Sequence, residues 1–442
     1  MPRLFGTDGI RGVANVDLKP TLAYALGRAT AHHLIPNGGR LVVGQDTRRS
    51  GDMFVAAISV GATSLGADVH LAGVVPTPAL AFLAAEPEFT AGIMVSASHN
   101  PAEDNGLKVL DAEGLKLDDA IEDQLEALIW RTEELVGQSN DSLGRVVPDR
   151  PLLERYRRHR IALARTVEAP LRIVLDCANG SGGVLGPEIL AATGAQVDVI
   201  HNEPDGSNIN VASGATAPAS LAGAVRARGA AVGFALDGDA DRLIAVDEQG
   251  RVIDGDQVLG VLALDRLERD ALPGGLVVSV LSNGGLQQAV EAAGGRVIRT
   301  PVGDKYILEG MQVSGATLGG EKSGHVIVRE HTTTGDGIVT ALEVLRVMRR
   351  CRAPLSELAD QIQLLPQQQR AVRVRHKEQW EAEPSLQAAI ADAGRRLGTT
   401  GRILVRPSGT EPALRVMVEG PDADLVIELA DTIATLAGKR LN

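Results

Sequence analysis

Aromatic side chains and cysteines are scarce in this chain of 442 residues, in which 2% of positions are Phe, Trp or Tyr and two are cysteines. The cores must therefore be built from Leu, Val, Ile and Ala. Cys177 and Cys351 form no C-x-x-C motif, which argues against a disulfide framework and against a thiolate zinc site. We expect Cys177, at the end of an apolar strand pattern, to be a small buried residue.

Long runs of one residue class are also missing. The formal net charge is −12 without a long Lys/Arg run, which argues against a nucleic-acid partner. Local clusters of cations can still bind a phosphate group. No apolar run approaches the ~20 residues that span a bilayer, and the first residues lack the apolar stretch of a signal peptide. We therefore expect a cytoplasmic protein with no membrane partner.

A weak internal repeat organises most of the chain. Each copy predicts a strand, a helix, a Gly-x-x-Val turn and a second strand, and this alternation is typical of α/β units. At ~150 residues per domain the length fits three or four domains. The copies span residues 41–75, 171–200 and 276–299, with helices predicted near 52–65, 184–193 and 285–293.

Each copy continues into one more strand, and each of these strands ends in a polar loop. The loops are Ser96–Pro101, Asp237–Arg242 and Gly319–His325. Ligands of open α/β sheets bind beyond the carboxyl ends of the strands. We therefore predict that the three loops share one cleft and divide its chemistry.

The C-terminal part shows a different pattern, with a linker predicted at 364–370 that can act as a hinge. Strands are predicted at 370–376, 402–406 and 414–419, and helices at 380–396 and 422–438. The predicted fold is three similar α/β domains with mixed sheets plus a small C-terminal α+β domain around a central cleft. The predicted domains are 1–152, 153–250, 251–365 and 366–442.

Ser98 stands in the loop Ser96-Ala-Ser-His-Asn-Pro. Taken alone, a polar turn is the simpler interpretation, since Asn-Pro is a common turn dipeptide. The functional alternative is a nucleophile or phosphoryl carrier at a strand tip, where His99 could orient or deprotonate a neighbour. The lack of a G-x-S-x-G elbow disfavours a hydrolase of that type.

Asp237, Asp239 and Asp241 alternate along the chain, which places their carboxylates on one side of an extended backbone. Clustered carboxylates repel one another unless a cation joins them, and hard oxygen ligands favour Mg²⁺ or Ca²⁺. A solvated acidic turn is the alternative. An EF-hand is excluded because Arg242 occupies its glycine position and both flanks resemble strands. The pattern suits Mg²⁺ in phosphoryl transfer.

Two further loops carry groups that could bind a phosphosugar. Glu321, Ser323 and His325 can hydrogen-bond sugar hydroxyls and exchange a proton, although a structural polar loop has the same pattern. In the C-terminal domain, two guanidiniums and exposed backbone amides could hold a phosphate, and a hairpin turn is the alternative. That second group consists of Arg406, Ser408, Gly409, Thr410 and Arg415.

The N-terminal segment Gly6-Thr-Asp-Gly-Ile-Arg-Gly places Asp8 and Arg11 among three glycines. Lys108 follows the Ser98 loop closely and could face the same cleft. Both cations would stabilise the charge that spreads over a transferring phosphoryl group. An ordered loop without a catalytic role is the alternative for the N-terminal segment.

Together, and in this order, the four loops resemble those of the α-D-phosphohexomutase superfamily, and the resemblance covers essentially the whole chain. Ser96-Ala-Ser-His-Asn-Pro is similar to the family's phosphoserine loop, and Asp237-Gly-Asp-Ala-Asp-Arg to its metal loop. Gly320-Glu-Lys-Ser-Gly-His is similar to its sugar loop, and Arg406-Pro-Ser-Gly-Thr-Glu-Pro to its phosphate loop. The opening Phe5-Gly-Thr-Asp-Gly-Ile-Arg-Gly is similar to that of members that act on glucosamine phosphates.

The resemblance implies an isomerase-class phosphotransferase that interconverts glucosamine 6-phosphate and glucosamine 1-phosphate, for amino-sugar nucleotide and cell-wall precursor synthesis. It implies phosphorylation of Ser98, one Mg²⁺ per site, and glucosamine or glucose 1,6-bisphosphate as activator. Lys108, His99 and His325 stay open as groups that transfer a proton. The residues concerned are Ser98, His99, Lys108, Arg11 and His325 for catalysis, Ser98, Asp237, Asp239 and Asp241 for the metal, and Arg242, Glu321, Ser323, Arg406, Ser408, Gly409, Thr410 and Arg415 for the substrate.

Three other interpretations compete with this one. A mutase for glucose or mannose phosphates would have the same catalytic loops. A dinucleotide-dependent enzyme is suggested by Gly180-Ser-Gly-Gly-Val-Leu-Gly, but Leu185 stands at the third glycine position. A non-catalytic phosphosugar-binding protein would be expected to have lost Ser98 or one of the aspartates. The sequence leaves the oligomeric state open and allows for a homodimer.

Overall fold

The computed structural model describes residues 3–6, 8–164, 171–408 and 412–442. The chain forms two compact units: Met1–Val280 with Gly295–Gln361, and Leu281–Gly294 with Ile362–Asn442. Among the described residues, no helix is both long and apolar enough to cross a membrane. The four domain boundaries drawn from the sequence stay a prediction.

The first sheet of the first unit contains the Ser98 loop. Its strands are β1 (Ile10–Val13), β2 (Gly39–Gln45), β3 (Ala67–Val74), β4 (Ala91–Val95), β5 (Asp104–Leu110) and β6 (Val146–Pro148). They lie in the order β1-β5-β4-β2-β3-β6, with β4 parallel to β2 and antiparallel to β5. The accompanying helices are α1 (Pro20–Leu34), α2 (Gly51–Thr63), α3 (Thr77–Ala84), α4 (Asp119–Trp130) and α5 (Leu152–Ala164).

Two glycines set the contact between α1 and α2. A Cβ atom on Gly27 would lie 2.4 Å from the carbonyl oxygen of Ile58, and one on Gly61 would lie 2.2 Å from that of Tyr24. Neither position accepts a side chain unless the helices separate. This close contact fixes α2, and thereby the loop that joins β2 to α2.

The second sheet of the first unit contains the Asp237 loop. Its strands are β7 (Arg172–Asp176), β8 (Gln196–Ile200), β9 (Val232–Leu236), β10 (Leu243–Asp247) and β11 (Val252–Ile253), in the order β11-β10-β9-β7-β8. Its helices are α6 (Gly186–Ala191) and α7 (Ala219–Arg228). The prediction of a helix near 184–193 is too long, because residues 181–184 form a 3₁₀ turn and Pro187 stands in the first turn of α6. Cys177 is buried, as expected.

The third sheet contains the Glu321 loop. Its strands are β12 (Leu276–Ser279), β13 (Val297–Thr300), β14 (Leu318–Gly320) and β15 (Val326–Val328), in the order β13-β12-β14-β15. Its helices are α8 (Gly255–Glu268), α10 (Asp304–Ser314), α11 (Gly337–Cys351) and α12 (Leu355–Ala359). In each of the three sheets, the strand before the functional loop pairs antiparallel with the strand after it. The predicted α/β class with mixed sheets is therefore confirmed.

The second unit has an antiparallel sheet of β16 (Gln367–Arg373), β17 (Arg402–Pro407) and β18 (Ala413–Glu419), in the order β16-β18-β17. Its helices are α9 (Gly284–Ala292), α13 (Pro384–Leu397) and α14 (Ala423–Arg440). The small C-terminal α+β domain is thus confirmed. The linker predicted at 364–370 is wrong for its last four residues, because β16 begins at Gln367 and pairs with Glu419 of β18.

Candidate active site

Three polar loops meet in the first unit, after β4, β9 and β14. Ser98 Oγ donates a hydrogen bond to Asp237 Oδ2 at 2.5 Å, which joins the β4 loop to the β9 loop. The amide of Leu243 donates to the carbonyl oxygen of Gly324 at 3.0 Å, which joins the β9 loop to the β14 loop. The structure therefore brings the predicted phosphoserine, metal and sugar loops together.

Ser98 has a left-handed backbone (φ 52°) and is 1% exposed. Its amide donates to Ser96 Oγ at 2.9 Å. Its carbonyl oxygen accepts from Arg48 Nη2 at 2.9 Å and from Asn210 Nδ2 at 2.8 Å. Because both sides of the residue are held, these bonds set the direction in which Oγ projects.

Two of the residues that anchor Ser98 are buried and were missed by the sequence analysis. Arg48 Nε donates to Asp46 Oδ2 at 2.9 Å, and Ser96 Oγ donates to the same oxygen at 2.6 Å. Burial raises the pKa of Asp46, against the lowering effect of Arg48. The sequence does contain a signal for these two residues. Asp46-Thr-Arg48 directly follows β2, which is parallel to β4 and ends beside it, so the two loops must lie close together.

Asp237, Asp239 and Asp241 form a buried group in which one carboxylate oxygen of each residue lies within 4.8 Å of those of the other two. Asp239 Oδ1 and Asp241 Oδ1 have no hydrogen-bond partner among the described residues. Burial and the two neighbouring carboxylates raise the pKa of Asp237 well above its usual range. Unpaired buried carboxylate oxygens are costly unless a cation binds them, so this group fits a divalent metal ion.

Lys108 is 1% exposed and lies beside this group. Its Nζ is 2.9 Å from Asp239 Oδ2, 3.2 Å from Asp8 Oδ2 and 3.8 Å from Asp241 Oδ2. Burial would lower its pKa, but these carboxylates outweigh burial and raise it. These carboxylates favour the protonated ammonium, which can offset negative charge. Thr77 Oγ1 also donates to Asp239 Oδ2, at 2.6 Å.

Arg11 and Arg242 supply two more cations. Arg11 Nη1 donates to the carbonyl oxygen of Ala97 at 3.1 Å and to Asn100 Oδ1 at 3.2 Å. The backbone amide of Arg242 donates to Asp237 Oδ1 at 3.2 Å. Both guanidiniums keep a buried Nε without a hydrogen-bond partner in the described part of the chain. These N–H groups can bind phosphate oxygens.

The two predicted histidines have different surroundings. His99 Nδ1 lies 3.3 Å from Ser98 Oγ, and burial together with Arg242 and Arg11 lowers the pKa of His99 to about 4. His325 is buried, with Nδ1 3.6 Å from Asp241 Oδ2, and its Nε2 accepts from the amide of Gly335 at 3.1 Å. In this arrangement His325 is neutral and carries its proton on Nδ1. Asp241 and Asp304 raise its pKa against burial, and protonation at Nε2 would break the bond from Gly335.

The sugar loop is held by its backbone more than by its side chains. Glu321 Oε1 accepts from the amide of Gly303 at 3.1 Å, and Ser323 Oγ is buried with no hydrogen-bond partner among the residues described. Gly324 has φ 92°, and a Cβ there would lie 2.2 Å from the carbonyl oxygen of Leu243. The loop can therefore approach the metal loop only with glycine at this position.

The glycine-rich segment after β7 contacts protein rather than presenting a nucleotide site. A Cβ on Gly180 would lie 2.4 Å from the carbonyl oxygen of Gly238, and the amide of Ser181 donates to that oxygen at 2.9 Å. The glycines let this segment approach the metal loop closely. This contact accounts for the near match to a dinucleotide-binding motif.

The second unit contains the predicted phosphate-binding group. Arg406 of β17 and Arg415 of β18 are register partners, and both line a cavity of about 180 Å³. Ser408 ends this hairpin arm, with its amide donating to Ala413 O at 2.8 Å and its carbonyl oxygen accepting from Lys377 Nζ at 2.6 Å. Two adjacent guanidiniums beside a cavity suit an anion. The predicted residues Gly409 and Thr410 lie outside the described residues.

Four family models cover nearly the whole chain in order. They describe the α/β/α domains I, II and III and the C-terminal domain of phosphoglucomutase/phosphomannomutase, and they match residues 2–136, 154–250, 254–365 and 371–436. The chain is 52% identical over 440 residues to the phosphoglucosamine mutase of Moorella thermoacetica, covering 99% of this chain and 98% of that protein. It is 48% identical to the phosphoglucosamine mutase of Symbiobacterium thermophilum, covering 98% of each.

Solved structures agree with these matches. A phosphoglucomutase/phosphomannomutase family protein of Burkholderia thailandensis is 25% identical with a TM-score of 0.83, covering 99% of this chain and 98% of that chain. N-acetylphosphoglucosamine mutase of Aspergillus fumigatus, solved with GlcNAc-6P and magnesium, is 20% identical with a TM-score of 0.73, covering 99% and 96%. The second similarity concerns the fold alone.

Proposed function

We infer that this chain, which belongs to the phosphoglucomutase/phosphomannomutase family, interconverts glucosamine 6-phosphate and glucosamine 1-phosphate through a phosphorylated Ser98. The observation that carries this proposal is the position of Ser98 Oγ, 2.5 Å from Asp237 in a buried group of three carboxylates with Lys108 beside it. The phosphoglucosamine mutases that are 45–52% identical over nearly the whole chain favour glucosamine over glucose or mannose as the sugar.

We propose that the three aspartates and Ser98 hold one Mg²⁺. When bound, the ion would neutralise charge on the phosphoryl group and on Ser98 Oγ. The fit rests on the two buried carboxylate oxygens, Asp239 Oδ1 and Asp241 Oδ1, that have no hydrogen-bond partner among the described residues. A hexosamine or glucose 1,6-bisphosphate would first phosphorylate Ser98 and so activate the protein.

The proposed reaction has two phosphoryl transfers. In the first, the bond between phosphorus and Ser98 Oγ breaks, and a bond forms from phosphorus to a hydroxyl oxygen of the sugar phosphate, giving the 1,6-bisphosphate. The hydroxyl proton passes to a neutral imidazole, for which His99 and His325 are the candidates, because the ammonium of Lys108 is paired with Asp239 and Asp8. After the bisphosphate reorients, its other phosphoryl group returns to Ser98 Oγ and the product leaves.

The other site residues are proposed to bind the substrate. Arg11, Lys108 and Arg242 would offset charge on the transferring group. Glu321 and Ser323 would hold sugar hydroxyls. In the second unit, the phosphate that is not transferred would be held by the two arginines that line the cavity together with the loop between them, that is by Arg406, Ser408, Gly409, Thr410 and Arg415. The product, an amino-sugar 1-phosphate, would supply nucleotide-sugar synthesis for the cell wall in the cytoplasm.

The test compares kcat/KM for glucosamine, glucose and mannose phosphates, with Mg²⁺ and a trace of hexose bisphosphate. We expect a strong preference for the glucosamine substrate, and no turnover of any phosphosugar by Ser98→Ala, whose fold should persist. Equal or better turnover of glucose or mannose phosphates would move the protein to general hexose phosphate metabolism. Mutase activity in Ser98→Ala would overturn the phosphoserine mechanism.

A further inference from the structure

Lys116 pairs with two carboxylates that come from distant parts of the chain. It lies between β5 and α4, and its ammonium contacts Asp8 Oδ1 of the N-terminal loop and Asp304 Oδ2 of the first turn of α10. The side chains of Lys116 and Asp304 are 16% and 14% exposed. Burial would lower the pKa of Lys116, but Asp304 and Asp8 raise it, so the ammonium is charged.

Each of these two carboxylates also faces a group of the proposed active site. Asp8 Oδ2 contacts Arg11 and lies 3.2 Å from Lys108 Nζ. Asp304 Oδ2 lies 3.8 Å from His325 Nε2. Lys116 thus completes a ring of polar contacts that runs from Asp8 through Lys108, the metal loop, the neutral His325 and Asp304 back to Lys116.

We propose that Lys116 is a positioning residue for the phosphoryl transfer. By pairing with Asp8 and Asp304 it keeps Asp8 from drawing Lys108 and Arg11 away from the reacting phosphoryl group, and it neutralises the carboxylate of Asp304 beside His325. The inference rests on the proposed function, in which Arg11 and Lys108 offset charge on the phosphoryl group and His325 is a candidate for proton transfer. Lys116 itself lies behind them and acts through its two partners.

Ion pairs hold Lys116 and Asp304 in this part of the ring. Both side chains also border a cavity of about 220 Å³, which leaves room for them to move when their charges are no longer paired. If the ammonium were removed, Asp8 would keep Lys108 and Arg11 as its cations, and Lys108 Nζ would shift toward Asp8 and away from Asp239 Oδ2. Buried charges are screened little by salt, so the shift would persist at physiological ionic strength.

A purely structural role for Lys116 is the competing explanation, because a second ion pair also connects α10 to the region around α4. Lys305 of α10 pairs with Asp119 of α4 at 2.8 Å, and the Asp119 side chain is 58% exposed. Lys305→Met therefore removes an ion pair between α10 and α4 and leaves every side chain of the ring unchanged. It is the matched control for Lys116→Met.

The experiment measures kcat and KM for glucosamine 6-phosphate, and Tm, in wild type and four variants. The variants are Lys116→Met, Lys116→Arg, Lys305→Met and the double variant Lys116→Met with Asp304→Asn. In Lys116→Met we expect kcat to fall roughly 10- to 100-fold while KM changes less than about threefold. Lys116→Arg and Lys305→Met should stay near wild type. The double variant should recover several-fold in kcat, since one uncompensated carboxylate is gone.

Two results would overturn the inference. One is a kcat of Lys116→Met as high as that of Lys305→Met. The other is a double variant whose kcat is no higher than that of Lys116→Met, with the same loss of Tm in both. That result would show that the ion pair only stabilises the fold. Absence of turnover in wild type and Lys305→Met would instead refute the proposed function, so the two failures are distinguishable.

Discussion

Arg48 donates from Nη2 to the carbonyl oxygen of Ser98 at 2.9 Å, while its Nε donates to Asp46 at 2.9 Å. The guanidinium therefore connects a buried carboxylate to the residue proposed to carry the phosphoryl group. A left-handed backbone at a non-glycine residue costs about 1–2 kcal/mol, and such conformations persist only when the surroundings impose them. At Ser98, Arg48 is one of the groups that impose it.

We predict that Arg48→Lys lowers kcat roughly 10- to 100-fold, because a lysine keeps the charge but cannot donate in the fork geometry that reaches both partners. Tm should fall by several degrees, since the buried carboxylate of Asp46 loses part of its pairing. Steady-state kinetics and thermal unfolding check the two effects. Arg49→Lys, at the exposed neighbouring position, is the control. An Arg48→Lys protein with wild-type kcat would contradict the anchoring role.

Mg²⁺ is expected to stabilise the folded protein. Three buried carboxylates repel one another, so a bound cation relieves this repulsion and adds about 2.7 kcal/mol when its concentration is 100 times Kd. Tm should rise with Mg²⁺ and fall with EDTA. In Asp239→Asn this Mg²⁺-dependent shift should shrink strongly, whereas Asp198→Asn, on β8, should keep it. Equal shifts in both variants would place the ion elsewhere.

Glu122 is expected to make stability depend on pH. Burial raises its pKa to about 7, against the lowering effects of Lys305 and Arg3. In the unfolded chain a glutamate titrates near pH 4.3, so there it loses its proton at lower pH than in the folded protein. The contribution of Glu122 to the free energy of unfolding is therefore complete below about pH 4 and declines as the pH rises through about 7.

The measurement compares Tm of wild type and Glu122→Gln at pH 4 and pH 8. We expect similar values at pH 4 and a higher Tm for the variant at pH 8, because glutamine avoids the buried charge. Glu133→Gln, at an exposed site after α4, should show no such difference. A Tm difference that is the same at both pH values would contradict the raised pKa.

Gly324→Ala is expected to separate the sugar loop from the metal loop. The added Cβ would lie 2.2 Å from the carbonyl oxygen of Leu243, in addition to the strain of a side chain at φ 92°. Gly315 has φ 73° with no atom within 4 Å of its Cβ position, so Gly315→Ala tests the strain alone, at about 1–2 kcal/mol. We expect Gly324→Ala to lose more Tm than Gly315→Ala and also to lose kcat/KM. Equal losses in Tm with unchanged kcat/KM would show that the close approach is unimportant.

The sequence predicted the elements whose local pattern is strong. β9, for example, is a run of five apolar or small residues that are all buried, and it falls where the pattern placed it. The ends of elements were harder, because they depend on neighbours distant in sequence. Residues 367–370 are polar and look like a linker, but they pair with β18, and that pairing partner lies about fifty residues away.

The same distinction applies to the candidate site. Ser98 and the three aspartates belong to short, characteristic loops, so the sequence singled them out. Thr77 and Asn210 contact these loops from other segments, and their own neighbours in sequence give little sign of it, whereas Arg48 could have been found from its place directly after β2. Asp304 was missed for the same reason, since its contacts with Lys116 and His325 arise only in the folded unit.

One consequence of the fold concerns the exchange of modules between relatives. The segment Leu281–Gly294, with α9, belongs to the same compact unit as the C-terminal residues, although in sequence it lies inside the third α/β repeat. Asn283 Nδ2 donates to the carbonyl oxygen of Leu365, and Asn283 Oδ1 accepts from its amide, each at 2.9 Å. A chimera that transplants only residues 366–442 would therefore leave behind a segment of the donor's own compact unit and its contacts with Leu365, so the exchanged part should carry residues 281–294 and Leu365 as well.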